Sequence, residues 1–144
     1  MKQYGRVIVL EDDIVTGPYF LNFMNDGLEL YKKDETVMHI AGFSYPTIPK
    51  DHPTDTFFYN QTASWGWASW ARAWQHLNMD TQYLLKSIKT KKHFNVDGCY
   101  PFSDILEENM PQEWDVRWYA SVYLKKGLCL HPKSTQIKNI GFSF

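Results

Sequence analysis

The apolar positions near the start of the chain form a short continuous run that ends in acidic residues. Residues 7–10 (Val-Ile-Val-Leu) are all apolar, three of them are β-branched, and Glu11, Asp12 and Asp13 follow directly. Such a run is typical of a strand buried on both faces of a parallel sheet. Open α/β sheets bind their ligands just beyond the carboxyl ends of these strands. The pattern therefore predicts that the three carboxylates lie at a ligand-binding edge.

A helical period follows this first strand. Thr16-Gly17-Pro18 is typical of a turn before a helix, and the pattern predicts that helix from Tyr19 to about Lys33. Its apolar positions recur every three or four residues and predict one face packed on a sheet: Phe20, Phe23, Met24, Leu28 and Tyr31.

The rest of the chain alternates between predicted strands and helices. The predicted strands are Val37–Phe43, Thr56–Asn60 and Leu128–His131, with an extended stretch at Phe94–Val96. The predicted helices are Trp67–His76, Thr81–Lys89, Phe102–Glu108 and Pro111–Lys126, the last one ended by Gly127. Ser44–Asp55 is a proline-containing loop, and the residues after Pro132 form a tail. We expect an α/β protein in which residues 1–144 form a single domain.

Composition and charge narrow the classes of function. The net charge of −1 argues against a nucleic-acid partner, which would call for a basic stripe. Cys99 and Cys129 match no zinc motif, so we expect two reduced thiols in a cytoplasmic protein. No secretory signal is visible, and no apolar run approaches the ~20 residues that span a bilayer. The basic stretch Lys86–Phe94 fits either contact with a membrane surface or a solvated helix end.

The residue types leave three interpretations of Glu11-Asp12-Asp13 open. In the first interpretation, the acids are simply a solvated strand end and a helix cap, where carboxylates are favourable. A phosphatase of the haloacid-dehalogenase type also places acids after an apolar strand, but its first acid is a nucleophilic Asp, and Glu11 stands there. A sugar-nucleotide-dependent transferase needs Mg²⁺ or Mn²⁺ to stabilise a departing nucleotide diphosphate, held by one or two carboxylates.

Four segments, in order along nearly the whole chain, carry a resemblance to one family. Residues 7–14, Val-Ile-Val-Leu-Glu-Asp-Asp-Ile, followed by Pro-Tyr-Phe at 18–20, resemble the metal-binding region of GT-A fold glycosyltransferases. They are particularly similar to the branch resembling N-acetylglucosaminyltransferase I. Three more segments resemble later elements of that family and its bacterial relatives: Ile40-Ala41-Gly42-Phe43, Trp65-Gly66-Trp67-Ala68-Ser69-Trp70 and Asn139-Ile140-Gly141-Phe142.

The resemblance implies a three-layer nucleotide-diphospho-sugar transferase (GT-A) fold, with a mixed sheet flanked by helices. It implies Mn²⁺ or Mg²⁺, a nucleotide-sugar donor, a glycan or lipid-linked acceptor, and an inverting transfer in polysaccharide or lipopolysaccharide biosynthesis. The expected location is the cytoplasm, including the inner face of the cytoplasmic membrane.

One departure from the family pattern leads to an alternative function. Family members carry nucleotide-binding strands before the acidic motif, whereas only ten residues precede Glu11 here. The chain therefore resembles a C-terminal portion with the N-terminal nucleotide-binding strands missing. The alternative is a truncated, non-catalytic carbohydrate-binding or interaction fragment. Missing strands leave an exposed sheet edge, which predicts self-association.

The resemblance also implies roles for individual acids. Asp13 is the first metal ligand, Asp12 binds the metal or acts through the ribose or a metal-bound water, and Glu11 supports both. Asp115 matches the acidic segment that holds the general base, with Glu113 as the alternate and Asp104 third. An equally weighted interpretation is that Asp115 only interacts with the dipole of its helix.

The tryptophans are unevenly placed, since four of the six lie between positions 65 and 74. Sugar faces stack on aromatic rings, so Trp65, Gly66 and Trp67 are the candidate acceptor-binding residues. The spacing of Trp67 and Trp70 suits core packing as well, and Trp65, outside the predicted helix, is the better ligand candidate. His131 is expected to be structural. Lysines 133 and 138 fit either diphosphate contact or an ordinary surface role.

Overall fold

The computed structural model describes residues 1, 3–46, 48–49, 51–108, 110 and 113–141. The strands in this part of the chain are β1 (Arg6–Val9), β2 (Ile14–Thr16), β3 (Val37–Ala41), β4 (Thr56–Tyr59), β5 (Trp67–Trp70), β6 (Leu128–Pro132) and β7 (Ile137–Asn139). The α-helices are α1 (Phe20–Leu30), α2 (Ala71–Trp74), α3 (Thr81–Ile88), α4 (Phe102–Glu108) and α5 (Trp114–Leu124), with a 3₁₀ turn at Val96–Gly98.

A five-stranded mixed sheet forms the centre of the molecule, in the order β1-β5-β3-β6-β4. β3 and β6 are parallel, and the other neighbours are antiparallel. β2 and β7 form a separate antiparallel ribbon. The expected α/β class, with a mixed sheet flanked by helices, is confirmed at this level.

Helices cover the sheet through separate apolar clusters. The predicted face of α1 packs on the sheet, where Phe20, Met24 and Leu28 join a cluster with Ile40 and Leu130. Trp118 and Val122 of α5 pack with Met38 and Cys129, and a further cluster joins α3, α4 and α5. Full burial of each large apolar side chain contributes about 1.5–3 kcal/mol. Ile8 of β1 and Ile14 of β2, on either side of the acidic motif, pack against the first of these clusters.

The first strand differs from its prediction. β1 is not a central strand of a parallel sheet but lies at one edge, where it pairs with β5 in antiparallel register from Arg6↔Trp70 to Val9↔Trp67. Its apolar side chains are only partly buried. A continuous apolar run indicates a strand, but its position in the sheet depends on which strands pair with it, and local sequence does not determine that.

The predicted helix over Trp67–His76 is wrong in its first half. Residues 67–70 form β5, hydrogen-bonded between β1 and β3, and only Ala71–Trp74 is helical. The side chains alternate, with Ala68 and Trp70 in the cluster of α1 and the Ser69 hydroxyl donating to the Met38 carbonyl. Pairing on both sides of the strand outweighs the helical spacing of the tryptophans.

Four further segments differ from prediction. Phe94–Val96 is not extended, since this region turns into the 3₁₀ segment. Ile14–Thr16 and the predicted tail pair as β2 and β7. α5 begins at Trp114, and its predicted start at positions 111–112 lies outside the described residues.

Candidate functional site

The described parts of the four segments of the family resemblance meet where β1 and β3 end and β5 begins, and Phe142 lies outside the described residues. The carboxyl ends of β1 and β3 both lie beside the start of β5, because both strands run antiparallel to it. The Gly42 N–H donates to the Gly66 carbonyl at 2.7 Å. Leu10, next to the acidic motif, lies 3.3 Å from the Cβ position of Gly66. Residues far apart in sequence therefore share one edge of the sheet.

Glycine is required where these segments cross. A Cβ at Gly42 would lie 2.7 Å from the Phe20 ring and 2.8 Å from the Gly66 carbonyl oxygen. Gly66 adopts a positive φ of 58°, a conformation that other residues rarely take. The two glycines thus allow the close approach that brings Trp65 next to the end of β1.

The closing segment of the chain holds Asp13. The Ile140 N–H donates to the Asp13 carbonyl at 2.8 Å, and the Asn139 amide donates to Asp13 Oδ2 at 3.1 Å. A Cβ at Gly141 would lie 2.5 Å from the same carboxylate oxygen, so this position leaves room only for glycine. One oxygen of Asp13 is therefore fixed in place by residues 139–141.

The acids influence one another electrostatically. The pKa of Glu11 is raised by partial burial and then by the charges of Asp13, Asp115 and Asp12. Glu11 and Asp12 are exposed, and Asp13 is half-buried. The acidic cluster, defined here as Glu11, Asp12, Asp13 and Asp115, thus joins residues separated by about a hundred positions.

Asp13 meets one requirement for holding a cation. Its Oδ1 atom is buried and has no hydrogen-bond partner among the described residues. A buried carboxylate oxygen without a partner is costly, and a divalent cation would compensate it. The described residues contain no group of three or more His, Cys, Asp or Glu side chains arranged around one point. Mg²⁺ sites with one or two carboxylates take their remaining ligands from water and substrate phosphates, which suits this arrangement.

An aromatic cleft of about 350 Å³ includes one member of the acidic cluster in its wall. Asp115 lines it, and Trp65 faces it from the segment before β5. The Trp65 ring stands edge-on to Phe43 at a centroid distance of 5.5 Å. The remaining walls of this aromatic cleft are mainly aromatic or polar: Tyr45, Gln61, Thr62, Ser64, Tyr100, Phe102 and Tyr119.

Asp115 lies in the first turn of α5, where its Oδ1 accepts the Val116 N–H at 2.9 Å. This local bond fits the helix-terminus interpretation, while its place in the cleft fits a role with ligand, so both remain compatible with its position. Glu113 is the N-cap residue, and its Oε2 is buried without a partner among the described residues. Asp104 lies on α4, exposed, and accepts a bond from the Ser103 hydroxyl.

Trp67 is buried rather than open to ligand. Only 3% of it is exposed, and its ring stacks on Trp74 and on His39 at 5.4 and 5.3 Å. Gly66 is buried as well. Of the three candidate acceptor residues, only Trp65 lines the cleft, because alternation along β5 turns the Trp67 side chain into the core.

Two of the three remaining candidates, His131 and Lys133, face backbone carbonyls. Both ring nitrogens of His131 face backbone carbonyls, those of Phe43 at 3.1 Å and Gln61 at 2.9 Å, so neither is directed at a metal. The Lys133 ammonium donates to the His52 carbonyl, and Lys138 is an exposed residue of β7.

The basic stretch forms a different surface. Lysines 86, 89, 91 and 92 line a separate cleft beyond the end of α3. Contact of this stretch with a membrane stays a prediction. None of the helices among the described residues combines the length and apolarity needed to cross a bilayer.

Several residues of the site carried no local signal in the sequence. Tyr45 belongs to a proline-containing loop, and Tyr100 and Phe102 follow the 3₁₀ turn, so their convergence depends on tertiary packing. Asn139 entered the sequence analysis only as part of a resembling segment, and its contact with Asp13 comes from the β2–β7 ribbon.

Comparison with family models and with curated proteins found no match for this chain.

Proposed function

We propose that this chain is the metal- and acceptor-binding portion of a GT-A type glycosyltransferase. It would transfer a sugar from a nucleotide-sugar donor to a glycan or lipid-linked acceptor, with Mn²⁺ or Mg²⁺ held by Asp13 and Asp12. The chemistry of the site supports this assignment, together with the family resemblance of the four segments that meet there.

One observation carries the proposal. Asp115 lines the same cleft as Trp65, and its charge raises the pKa of Glu11 in the acidic motif. A transferase needs a carboxylate near the acceptor, an aromatic surface for the sugar and an acidic motif for the donor diphosphate within one site. These three features lie together here although they are far apart in sequence.

The proposed mechanism follows from these positions. The acceptor sugar stacks on Trp65, which places its hydroxyl beside Asp115. As the acceptor oxygen forms its bond to C1 of the donor sugar, the bond from C1 to the diphosphate oxygen breaks, and Asp115 takes the hydroxyl proton. A bound divalent cation would neutralise the charge that develops on the leaving diphosphate. Asp13 and Asp12 would hold that cation, and the Asn139 amide fixes the Asp13 carboxylate by donating to its Oδ2 atom.

Calorimetric titration with Mn²⁺ and uridine or guanosine diphosphate tests the donor side. We expect the wild type to bind one of the nucleotides in the presence of Mn²⁺. Asp13→Asn should lose this binding, because its neutral amide replaces the charged carboxylate. Asp26→Asn, an exposed acid of α1, is the matched control and should bind as the wild type does. Equal Mn²⁺ affinity in Asp13→Asn and the wild type would refute the assignment of Asp13.

A non-catalytic carbohydrate-binding fragment is the second candidate. It is favoured by the aromatic cleft, whose walls include Trp65, Phe43 and Tyr100 and which offers a stacking surface for a sugar without any metal. In that case oligosaccharides would perturb the fluorescence of Trp65, and the same titration would show no nucleotide binding at any Mn²⁺ concentration.

A further inference from the structure

A second cleft, almost entirely apolar, adjoins the aromatic cleft. It has a volume of about 430 Å³. Five residues line this cleft and not the aromatic cleft: Ile48, Phe57, Tyr59, Val96 and Cys99. Tyr45, Gln61 and Tyr100 line both clefts. The apolar cleft, as we call it, is therefore an extension of the proposed acceptor site.

Its aromatic and aliphatic walls are open to solvent. Tyr100 is 48% exposed and Tyr59 is 37% exposed. Apolar side chains gathered in a concave surface of this size are typical of a ligand site, whereas single exposed apolar residues are common on any protein.

One wall is built from unusual backbone. Val96, Asp97 and Gly98 have consecutive positive φ values of 50°, 54° and 86°. A β-branched residue in this region is a clear outlier. The segment is held by the Asn95 amide, which donates to the Ser103 hydroxyl at 2.7 Å while its oxygen accepts the Ser103 N–H at 2.9 Å. The wall is thus fixed in a conformation that places Val96 and Cys99 along the cleft.

We propose that the apolar cleft binds the hydrocarbon part of an amphiphilic acceptor whose sugar end occupies the aromatic cleft. This inference rests on the proposed function and selects lipid-linked or other alkyl-bearing glycosides over free oligosaccharides. This choice of an amphiphilic acceptor follows from the walls that the two clefts share at Tyr45 and Tyr100. One molecule that spans both clefts must be polar at the Asp115 end and apolar at the Cys99 end.

Cys99 provides a direct probe of occupancy. It is exposed in the cleft, whereas Cys129 is fully buried and burial raises the pKa of its thiol, so N-ethylmaleimide should modify Cys99 alone in the folded protein. Octyl β-glucoside below its micellar concentration should slow this modification several-fold. Methyl β-glucoside, which has the same sugar and no alkyl chain, should leave the rate unchanged.

Two variants complete the experiment. Ile48→Lys places a charge in the apolar cleft and should abolish protection by octyl β-glucoside, while Leu30→Lys, the same kind of change at an exposed site on α1, should retain it. Equal rates with and without octyl β-glucoside in the wild type would overturn the proposal, as would protection that persists in Ile48→Lys. The labelling needs neither metal nor donor. If the protein bound no nucleotide while octyl β-glucoside still protected Cys99, only the proposed transferase function would be refuted.

Discussion

At the residue scale, Lys126 shows how the end of α5 is built. Its φ is 56°, its N–H donates to the Tyr123 carbonyl, and the Gly127 N–H donates to the Val122 carbonyl, which together form a Schellman motif. The left-handed position is therefore occupied by lysine, although glycine is the residue that adopts it without steric cost.

Lys126→Gly should stabilise the protein. Relief of the left-handed strain outweighs the larger entropy of glycine in the unfolded chain, and we expect a gain of about 0.5–1 kcal/mol in the free energy of unfolding. Urea denaturation followed by tryptophan fluorescence measures it. Lys125→Gly, one position earlier at a helical φ of −79°, is the matched control and should destabilise. A loss of stability in both variants would contradict this account.

The sequence located many individual residues, but their roles depended on tertiary neighbours. Gly127 was predicted to end a helix that runs to Lys126, whereas α5 ends at Leu124 and Lys126 takes the left-handed position. The main contribution of Gly127 is space, since a Cβ at Gly127 would lie 2.5 Å from the Met38 sulfur. Asp13 and Asp115 were each singled out by the family resemblance, whereas their electrostatic link through Glu11 required the folded chain.

At the element scale, β1 is the most consequential strand. Among the described residues it has a neighbour only on one side, β5. Residues 7–9 carry no charge and have high β propensity, so their outer hydrogen-bonding groups offer a template for another strand.

We expect β1 to mediate self-association, as the sequence suggested. Sedimentation velocity over a range of concentrations should show a growing dimer fraction for the wild type. Val7→Lys should shift the chain to monomer, because a charged side chain on an edge strand opposes pairing. Leu21→Lys, an exposed apolar residue of α1, should leave the distribution unchanged. A wild-type protein that stays monomeric at every concentration would show that this edge does not pair.

The difference between local and tertiary signals explains which elements of the fold could be predicted. α1 and α3 matched closely, because an apolar stripe at helical spacing is a local signal. β5 was missed because its tryptophans repeat at helical spacing while its strand form depends on β1 and β3. β2 and β7 were missed for the same reason, as each is short and stabilised by the other.

At the scale of the whole molecule, two buried histidines join layers and loops. Trp118 of α5 donates its indole N–H to His39 Nδ1 at 3.1 Å, which fixes the proton of that ring on Nε2, where it faces the Ala63 carbonyl at 3.0 Å. His131 lies between the Phe43 and Gln61 carbonyls, both in walls of the aromatic cleft. This arrangement could not be predicted from local sequence, because a lone histidine in a strand can serve many different roles.

Burial and the neighbouring His131 lower the pKa of His39 to about 3, and burial also lowers that of His131. Between about pH 6.5 and pH 3 the unfolded chain therefore binds more protons than the folded one at His39. The stability from the neutral ring is fully present above pH 6.5 and is lost as the pH falls toward the folded-state pKa. The expected slope from His39 is about 1.4 kcal/mol per pH unit within this window.

Urea denaturation between pH 7.5 and 5 should therefore show a steeper loss of stability in the wild type than in His39→Gln. Glutamine keeps an acceptor for Trp118 and a donor for Ala63, but it lacks the ring, so the variant loses some packing at neutral pH. Because glutamine does not titrate, the stability of the variant should depend less on pH. His76→Gln changes a half-buried histidine outside this hydrogen-bond chain and should keep the wild-type slope. If His39→Gln retained that slope too, the acid sensitivity would arise from other groups, and the buried imidazole would be only a packing element between α5 and the sheet.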